Sequence, residues 1–321
     1  MESRTKRRLS PGQLDALLRR AMGTGVADAS ELTDGFANAV WRVRLDDGRE
    51  VVLKLSPPPD LDQLTYERNL LRMEAHAIEL AGAAGVPVAG LLRAGFDDPV
   101  LGGDYLVLRA LDGTPWNRTR PDSPDDVRRE LGRHLATLAS VTGEVFGYPH
   151  NGITGPTWRA AYLAMLGALL DDTRRYPTPL PLPAEEIRRV AESAAHVLEE
   201  VRTPSLVHFD VWPGNVFLTL DGRIQAIIDH ERAFWGDPLA ELITPTIFGE
   251  VAENDPLLAG YREVRPLELT PAALARLDLY RTYLYLILLV ENGPRQYPEE
   301  EYAPLRDLAT TSLVKAVEAL R

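Results

Sequence analysis

The 321-residue sequence contains no cysteine, and this absence removes several classes of protein at once. A disulfide-stabilised scaffold, a thiol nucleophile and a thiolate-bound zinc or iron–sulfur centre all need cysteine side chains. A long apolar run is also missing, because the longest, residues 283–290, is far too short to cross about 30 Å of hydrocarbon. Glycine and proline, at 24 and 25 residues, are too few for a low-complexity chain. What remains is a globular composition, long enough to bury a sizeable core.

Positive charge is outnumbered, with 35 lysine and arginine residues against 47 acidic ones. The formal net charge is −12 and no basic stripe offsets it, so we expect no nucleic-acid partner. The basic segment at residues 1–8 is not followed by an apolar segment, which argues against a secretory signal. We therefore expect a cytoplasmic protein without a membrane partner. Its acidic surface would suit neutral or cationic ligands.

The first third of the sequence alternates between short apolar runs and turn residues. Ser10-Pro11-Gly12-Gln13 is typical of a helix start, since it offers a cap, a first-turn proline and a glutamine three residues after the cap. Apolar residues on both sides of Asp46-Asp47-Gly48 predict a β-hairpin. A helix is predicted over 62–81, and further strands at 91–92 and 105–108.

From about residue 110 the pattern becomes mostly helical. Helices are predicted to begin at Ser123-Pro124 and Pro238 and to cover 158–170, 183–201, 271–291 and 302–320, with short strands at 206–207, 216–218 and 224–228. This order predicts an α+β protein of two lobes. Residues 1–109 would form a small antiparallel-sheet lobe with an N-terminal helix, and 110–321 a larger, mostly helical lobe. A cleft between two lobes is a favoured place for a ligand.

Three oxygen-bearing side chains cluster around one predicted hairpin. Asp210 and Asn215 lie five residues apart in the loop His208-Phe209-Asp210-Val211-Trp212-Pro213-Gly214-Asn215, and Asp229 follows the returning strand. The hairpin brings Asp229 back to the same end as the loop. Carboxylate and carbonyl oxygens are the ligands that a hard divalent cation prefers. The spacing predicts a cation site that leaves one carboxylate free to contact a substrate.

These residues resemble the signature of the aminoglycoside phosphotransferase and choline kinase family, whose members are relatives of the protein kinases. That signature is His-x-Asp-x-x-x-x-Asn, then Ile-Asp on a strand, then Gly-Asp-Pro opening a helix. The sequence matches it with His208/Asp210/Asn215, Ile228-Asp229 and Gly236-Asp237-Pro238. The order of the predicted lobes agrees, so the resemblance spans about residues 28–320. It implies a bilobal protein-kinase-like fold.

The resemblance implies a role for each residue of the hairpin. Asp210 would be the catalytic group that orients the acceptor hydroxyl and accepts its proton. Asn215 and Asp229 would hold Mg²⁺ against the nucleotide phosphates. His208 is expected to brace the loop through hydrogen bonds rather than to move protons.

The nucleotide contacts expected upstream rest on the same resemblance. Lys54, which ends an apolar strand, would bind the phosphates and pair with an acid on the helix that follows. Glu67 and Glu74 both qualify, and Glu74 is preferred because of its distance from Val86-Pro87.

Two segments are expected to contact the nucleotide mainly through the backbone. Residues 33–38, with Gly35 as their single glycine, occupy the place of the phosphate-covering loop. Leu108 and Ala110 lie where the lobes join, where backbone groups would pair with the edge of the base. Because backbone readout leaves almost no trace in a sequence, both ATP and GTP stay open as the donor.

The acceptor is less defined by the sequence. Phe209 stands where relatives often have glycine, and we expect it to crowd or stack against the acceptor. Trp212 and Trp235 are candidates to wall a sugar or aromatic acceptor, with core packing as the alternative.

Acidic residues are dense after the hairpin. They are Asp229, Glu231, Asp237, Glu241, Glu250, Glu253 and Asp255, against one arginine, Arg232. They predict either an acidic pocket for a cationic acceptor, with Glu231 as a substrate contact, or a solvated acidic helix face in an acidic protein.

The resemblance implies an enzyme that transfers the γ-phosphate of ATP or GTP, with Mg²⁺, to a hydroxyl of a small molecule. The acceptor would be an antibiotic or another amino-, sugar- or nucleoside-bearing metabolite, and antibiotic resistance is one role this implies. A primary-metabolite kinase of the choline, homoserine or fructosamine type is the alternative. A nucleotide-binding pseudoenzyme is disfavoured because no chemically required position is lost. A phosphohydrolase built on His208, Asp210, Asp229 and His230 would usually need more metal ligands.

Overall fold

The computed structural model describes residues 7–32, 39–58 and 60–321. The strands are β1 (Val26–Leu32), β2 (Ala39–Leu45), β3 (Glu50–Leu55), β4 (Leu91–Asp98), β5 (Gly103–Arg109), β6 (Thr114–Pro115), β7 (Phe146–Tyr148), β8 (Ile153–Gly155), β9 (Ser205–Val207), β10 (Val216–Leu218), β11 (Ile224–Ile227) and β12 (Phe234–Gly236). The helices are α1 (Pro11–Met22), α2 (Leu70–Ala83), α3 (Pro124–Leu138), α4 (Trp158–Arg175), α5 (Ala184–Ala194), α6 (Pro256–Val264), α7 (Pro271–Val290), α8 (Asn292–Arg295) and α9 (Glu299–Ala319). The predicted α+β class, with a sheet-rich N-terminal lobe and a helical C-terminal lobe, is confirmed. The division at 109/110 stays a prediction.

The N-terminal lobe is built on an antiparallel sheet with strand order β1-β2-β3-β5-β4. Side chains alternate between its two faces, as the period of a strand requires. Leu53 and Val107 pack with α1 on one face, whereas Leu106 and Leu108 pack with α2 on the other. In β3 this alternation turns Lys54 away from the α1 side and toward α2.

Helix α1 begins as the sequence predicts. Ser10 accepts a hydrogen bond from the Gln13 backbone, and the Gln13 side chain bonds back to the Ser10 backbone. This reciprocal cap satisfies amide groups that the first turn leaves without partners. The predicted hairpin is also present, as β2 and β3.

Helix α2 is shorter than the sequence predicts. The expected helix over 62–81 begins only at Leu70, after a 3₁₀ turn at Thr65–Glu67 and a left-handed Asn69 with φ of 61°. The preceding segment is anchored on the C-terminal lobe instead, because Thr65 donates to Asp172 through both its amide and its hydroxyl, at 2.6 and 2.8 Å. Tertiary hydrogen bonds therefore outweigh the local helical pattern.

The C-terminal lobe packs helices around a core that includes α7, which is buried along most of its length. Two small sheets accompany the helices, with orders β11-β10-β6 and β8-β7-β12-β9. Two predicted helices differ: the one over 183–201 ends as α5 and continues as a 3₁₀ turn at Ala195–Glu200, and the one at Pro238 is a 3₁₀ turn, Pro238–Leu242. Among the residues that the structure describes, no helix is both long and apolar enough to cross a membrane.

Candidate active site

Lys54 joins three elements at the cleft. Its Nζ donates to Glu74 on α2 and, at 2.7 Å, to Asp229 Oδ1 after β11. Lys54 is 6% exposed and Glu74 is fully buried. Of the two acids considered from the sequence, Glu74 is the one that meets the lysine, while Glu67 pairs with Arg295.

The three charged groups of this cluster change one another's pKa values. Burial alone would lower the pKa of Lys54, but the Asp229 and Glu74 carboxylates outweigh it and raise that pKa. Burial raises the pKa of Glu74 against the opposing effect of Lys54. For Asp229 the lysine outweighs burial, and its pKa is lowered. The ammonium and the Asp229 carboxylate thus stay charged at neutral pH.

The loop that carries Asp210 is held through its backbone amides, which donate to two buried side chains. Glu241 accepts hydrogen bonds from the His208 and Phe209 amides, at 2.6 and 3.3 Å, and the Thr244 hydroxyl accepts one from the Val211 amide at 2.9 Å. Burial raises the pKa of Glu241 to about 7. The sequence indicated this acid only as part of an acidic run.

His208 lies beneath the loop and ties it to the strand that leads to Asp229. Its Nδ1 accepts the Asp210 amide at 3.2 Å, which leaves Nε2 to donate to the Ile228 carbonyl at 2.9 Å. Burial lowers its pKa to about 4, so the ring is neutral at pH 7. These contacts agree with the bracing role expected for His208.

Asp210 faces the cleft with one carboxylate oxygen bound and one open. Its Oδ2 accepts from Asn215 Nδ2 at 3.2 Å, and the same amide group donates to the Asp210 carbonyl at 2.9 Å. Its side chain is 21% exposed. Burial raises the pKa of Asp210 to about 7, with Arg232 opposing the shift and Asp229 adding to it. A carboxyl group with a pKa near neutrality suits proton transfer at that pH.

The residues expected to hold a cation offer a suitable set of oxygen atoms. Carboxylate oxygens of Glu74, Asp229 and Glu231 lie within 4.8 Å of one another. The Asn215 Oδ1 is available because its amide nitrogen is the atom bonded to Asp210. Burial and the nearby Asp229 raise the pKa of Glu231, an effect that a bound cation would reverse. Hard oxygen donors in this number fit Mg²⁺, so the donor set agrees with the predicted ion.

The cleft holds a cavity of about 240 Å³ that is lined by both charged and apolar side chains. The polar lining includes Lys54, Asp210, Asn215, Asp229 and Glu231, and the apolar lining includes Leu32, Val40, Val52, Ala89, Leu108, Leu111, Phe217 and Ile228. A lining of both kinds suits a molecule with phosphates and an aromatic base. A larger cavity of about 410 Å³ is lined by residues within 61–72 and by residues at the ends of α4 and α8.

The expected backbone contacts with the base are only partly supported. Leu108 lines the cavity, but the Ala110 amide donates to the Glu50 carbonyl at 3.3 Å, and Ala110 does not line it. Leu111 lines it instead, and within the described part of the chain its amide has no protein partner. Leu108 therefore stays a predicted contact, and Leu111 is a further candidate for a backbone contact with the base. Gly35 lies outside the described residues.

Phe209 does not contact the acceptor region, and that prediction is wrong. Its side chain is fully buried and packs against Phe234 and Tyr283, with ring centroids 5.1 and 5.9 Å apart. Its φ of 61° lies in the left-handed region, where glycine is favoured. This backbone conformation explains why glycine suits the position, and the core explains how phenylalanine occupies it.

The acidic residues between Asp229 and Asp255 form neither one acidic pocket nor one solvated helix face, although the side chains of Glu250 and Glu253 are exposed. Of the seven acids, only Asp229 and Glu231 line the cavity. The others have partners elsewhere: Asp237 binds Arg276 and Tyr280, Glu250 binds Arg281 and Lys315, Glu253 binds Arg262, Asp255 binds Arg128, and Glu241 holds the loop. Composition cannot show such pairing with distant arginines.

The two tryptophans considered as acceptor contacts lie in different environments. Trp212 lines the cavity, with its ring over Gly214, where an added Cβ would lie 2.1 Å from the ring. Trp235 is 5% exposed and belongs to the core. Trp212 therefore stays a candidate for contacting an acceptor, and Trp235 does not.

Three charged residues at the site were not singled out from the sequence. Arg232 lies 4.0 Å from Asp210 and binds Glu291 at 2.9 Å, and Arg295 lines the same cavity. The only available signal was that Arg232 is the one arginine in an acidic run. Glu291 and Arg295 are distant in sequence and carried no local signal.

The arrangement of a lysine–glutamate pair under a sheet, a loop aspartate, and an asparagine and aspartate on a hairpin defines a protein-kinase-like fold. The sequence profile of the phosphotransferase enzyme family matches residues 28–278. The chain belongs to this phosphotransferase enzyme family.

Two curated relatives match parts of the chain. The mouse protein "Acyl-CoA dehydrogenase family member 10" is 23% identical over 266 residues, which is 78% of this chain but 23% of the mouse protein. The Synechocystis protein "Probable ketoamine kinase" is 26% identical over 221 residues, covering 65% of this chain and 70% of the relative. The chain thus spans less than a quarter of the mouse relative's length.

Solved structures share the fold over nearly the whole chain. A "putative fructosamine-3-kinase" from Thermobifida fusca superposes with a TM-score of 0.70 and 24% identity, covering 96% of this chain and 98% of that one. A thermostable mutant of aminoglycoside phosphotransferase APH(4)-Ia, in a ternary complex with ADP and hygromycin B, gives a TM-score of 0.59 and 20% identity, with 96% and 98% covered.

Proposed function

We propose that the chain is a Mg²⁺-dependent phosphotransferase that moves the γ-phosphate of ATP or GTP onto a hydroxyl of a small molecule. Residues 1–109 would bind the nucleotide, and 110–321 would carry the catalytic loop and the acceptor site. The observation that carries the proposal is that Lys54, Asp210, Asn215 and Asp229 line one cavity together with apolar side chains.

Each residue then has one task. The Lys54 ammonium, fixed by Glu74 and Asp229, binds phosphate oxygens. The acceptor oxygen forms a bond to the γ-phosphorus while the bond from that phosphorus to the β–γ bridging oxygen breaks. The hydroxyl proton passes to Asp210 Oδ1, and the nucleoside diphosphate leaves. Bound at Asn215 and Asp229, with Glu231 adjacent, Mg²⁺ would neutralise phosphate charge.

The acceptor class we favour is a polyhydroxylated small molecule that carries an amine. A fructosamine-type acceptor is supported by the ketoamine kinase name of the Synechocystis relative, and an antibiotic-type acceptor by the hygromycin B complex of the fold neighbour. A phosphohydrolase based on histidines is not supported, because neither His208 nor His230 lines the cavity and both are 1% exposed.

The test is a transfer screen with the purified full chain, Mg²⁺, and ATP or GTP. Fructosyl-lysine, hygromycin B, a macrolide, choline and homoserine serve as acceptors, and mass spectrometry detects a product heavier by one phosphoryl group. We expect Asp210→Ala to lower transfer at least about 10²-fold while nucleotide still binds. Asp221→Ala, on the exposed turn of the β10–β11 hairpin, is the matched control and should keep full activity. Full transfer by Asp210→Ala would disprove the assigned role.

A further inference from the structure

A series of buried charges of alternating sign leads away from Asp210. Arg232 Nη2 donates to Glu291 Oε2 at 2.9 Å, and Arg295 Nη1 lies 2.9 Å from the same oxygen. Arg295 also pairs with Glu67, which precedes α2. The four residues beyond Asp210 are at most 8% exposed. A buried charge without a partner is destabilising, so each of these residues must keep an oppositely charged neighbour.

Arg232 approaches Asp210 without bonding to it. The distance from Arg232 Nη1 to Asp210 Oδ1 is 4.0 Å, which exceeds a hydrogen bond. The other oxygen, Oδ2, accepts from Asn215. Among residues 7–32, 39–58 and 60–321, no group donates to Oδ1. That oxygen is therefore the one open to an acceptor hydroxyl.

Glu291 and Asp210 compete for the same guanidinium. The carboxylates that raise the pKa of Arg232, against the effect of burial, belong to these two residues. Glu291 has the better geometry, a charge-assisted hydrogen bond, and thereby fixes where the guanidinium lies. Without the Glu291 charge, the buried cation would have Asp210 as its nearest carboxylate. Closing the gap of 4.0 Å would then cover Oδ1 with a hydrogen bond.

We propose that Glu291 is a positioning residue that holds Arg232 just beyond hydrogen-bond distance of Asp210, so that Asp210 Oδ1 stays open to the acceptor hydroxyl. The inference rests on the proposed function of Asp210. Arg295 takes part by sharing Glu291 Oε2, which keeps that oxygen directed between the two arginines.

The test compares Glu291→Gln with the double variant Glu291→Gln/Arg232→Met. Gln keeps the size of the side chain but not its charge, so Arg232 should turn to Asp210. We expect kcat to fall about 10²-fold with the nucleotide KM unchanged, since the general base is covered. Removing Arg232 as well uncovers Oδ1, and kcat should recover at least about tenfold over the single variant. A merely structural role for Glu291 predicts no such recovery.

Glu130→Gln is the matched control, because Glu130 is also a buried glutamate, 7% exposed, and binds Arg223 outside the cavity. Its kcat should not change. Transfer from ATP to fructosyl-lysine and to hygromycin B gives the kinetic readout. A double variant no faster than Glu291→Gln would overturn the proposal.

A second measurement does not depend on turnover. In crystal structures of the wild type and of Glu291→Gln, the Arg232–Asp210 gap should be open in the first and closed to hydrogen-bond distance in the second. An unchanged gap would overturn the inference even if transfer is found. If the wild type transfers phosphate to none of the acceptors, the proposed function fails by itself, and the crystal structures still decide whether Glu291 holds Arg232.

Discussion

At Phe209 the glycine variant should be more stable than the alanine variant, which is the reverse of the usual order of stability. At an ordinary position glycine is the less stable choice by roughly 0.5–1 kcal/mol, because the unfolded chain gains more freedom. At φ of 61° any Cβ costs about 1–2 kcal/mol, and glycine avoids that cost. The glycine variant should therefore be more stable than the alanine variant.

The magnitudes follow from the surroundings of the side chain. Both variants lose a fully buried ring that packs against Phe234 and Tyr283, which costs about 3–5 kcal/mol for alanine. Only the glycine variant also loses the backbone strain that a Cβ causes at this φ, which stabilises it by about 1–2 kcal/mol. After the unfolded-state effect is subtracted, the glycine variant should be more stable than the alanine variant by about 0.75 kcal/mol, within a range of roughly 0–1.5 kcal/mol.

Urea unfolding, followed by far-ultraviolet circular dichroism, measures the difference. Phe234 gives the control pair, because it is equally buried but its backbone is not in the left-handed region. There the glycine variant should be the less stable one. If glycine is less stable than alanine at both positions, the backbone argument is refuted and Phe209 is held by packing alone.

Two further perturbations test the charge arrangement. Lys54→Met removes the cation between Asp229 and Glu74, and we expect transfer to fall about 10²–10³-fold, whereas Lys315→Met, on an exposed ion pair, should have no effect. Burial lowers the pKa of His150 and of His208 to about 4, below the value near 6.5 of an unfolded chain. At these two rings the unfolded state thus binds more protons, so their contribution to the free energy of unfolding should be complete above about pH 6.5 and should be lost as the pH drops toward 4, by up to about 3 kcal/mol per ring. Asp210 and Glu241, whose pKa values burial raises to about 7, contribute in the opposite direction over the same window. The difference in urea unfolding between the wild type and His150→Asn therefore isolates the His150 share, and it should shrink as the pH falls from 6.5 toward 4; a difference that does not change with pH would contradict the assignment.

The parts of the site that sequence predicts are those fixed by local structure. Asp210 and Asn215 share one loop, and a tight hairpin returns Asp229 to it, so their spacing alone brings them together. Lys54 follows from the family resemblance, and strand alternation explains why its side chain lies on the α2 side of the sheet. The resemblance to a known family then predicts that the lysine of one lobe and the hairpin of the other face each other across the cleft.

The parts that sequence does not predict depend on distant partners. Glu291 meets Arg232 across 59 residues of chain, and nothing near Glu291 marks it. The late start of α2 depends on Asp172, which is 107 residues away from Thr65. Apolar periodicity contains no information about such hydrogen bonds, so it extends the helix too far.

The backbone of the site has a further property that links its stability to its chemistry. Phe209 and Asp229 both have left-handed conformations, with φ of 61° and 69°. Each is next in sequence to a residue that His208 binds: Phe209 precedes Asp210, and Asp229 follows Ile228. Residues in this conformation persist only where the surroundings over-determine them. His208 and Glu241 supply that constraint on the loop, and the Ile228 amide, which donates to the Asn215 carbonyl at 2.9 Å, extends it to the hairpin. Asp210, Asn215 and Asp229 therefore form one rigid unit before any ligand binds. Among the described residues, Lys54 bonds to that unit only through Asp229, so a change in the angle between the lobes would alter the lysine's contact while leaving the hydrogen bonds around Asp210 intact.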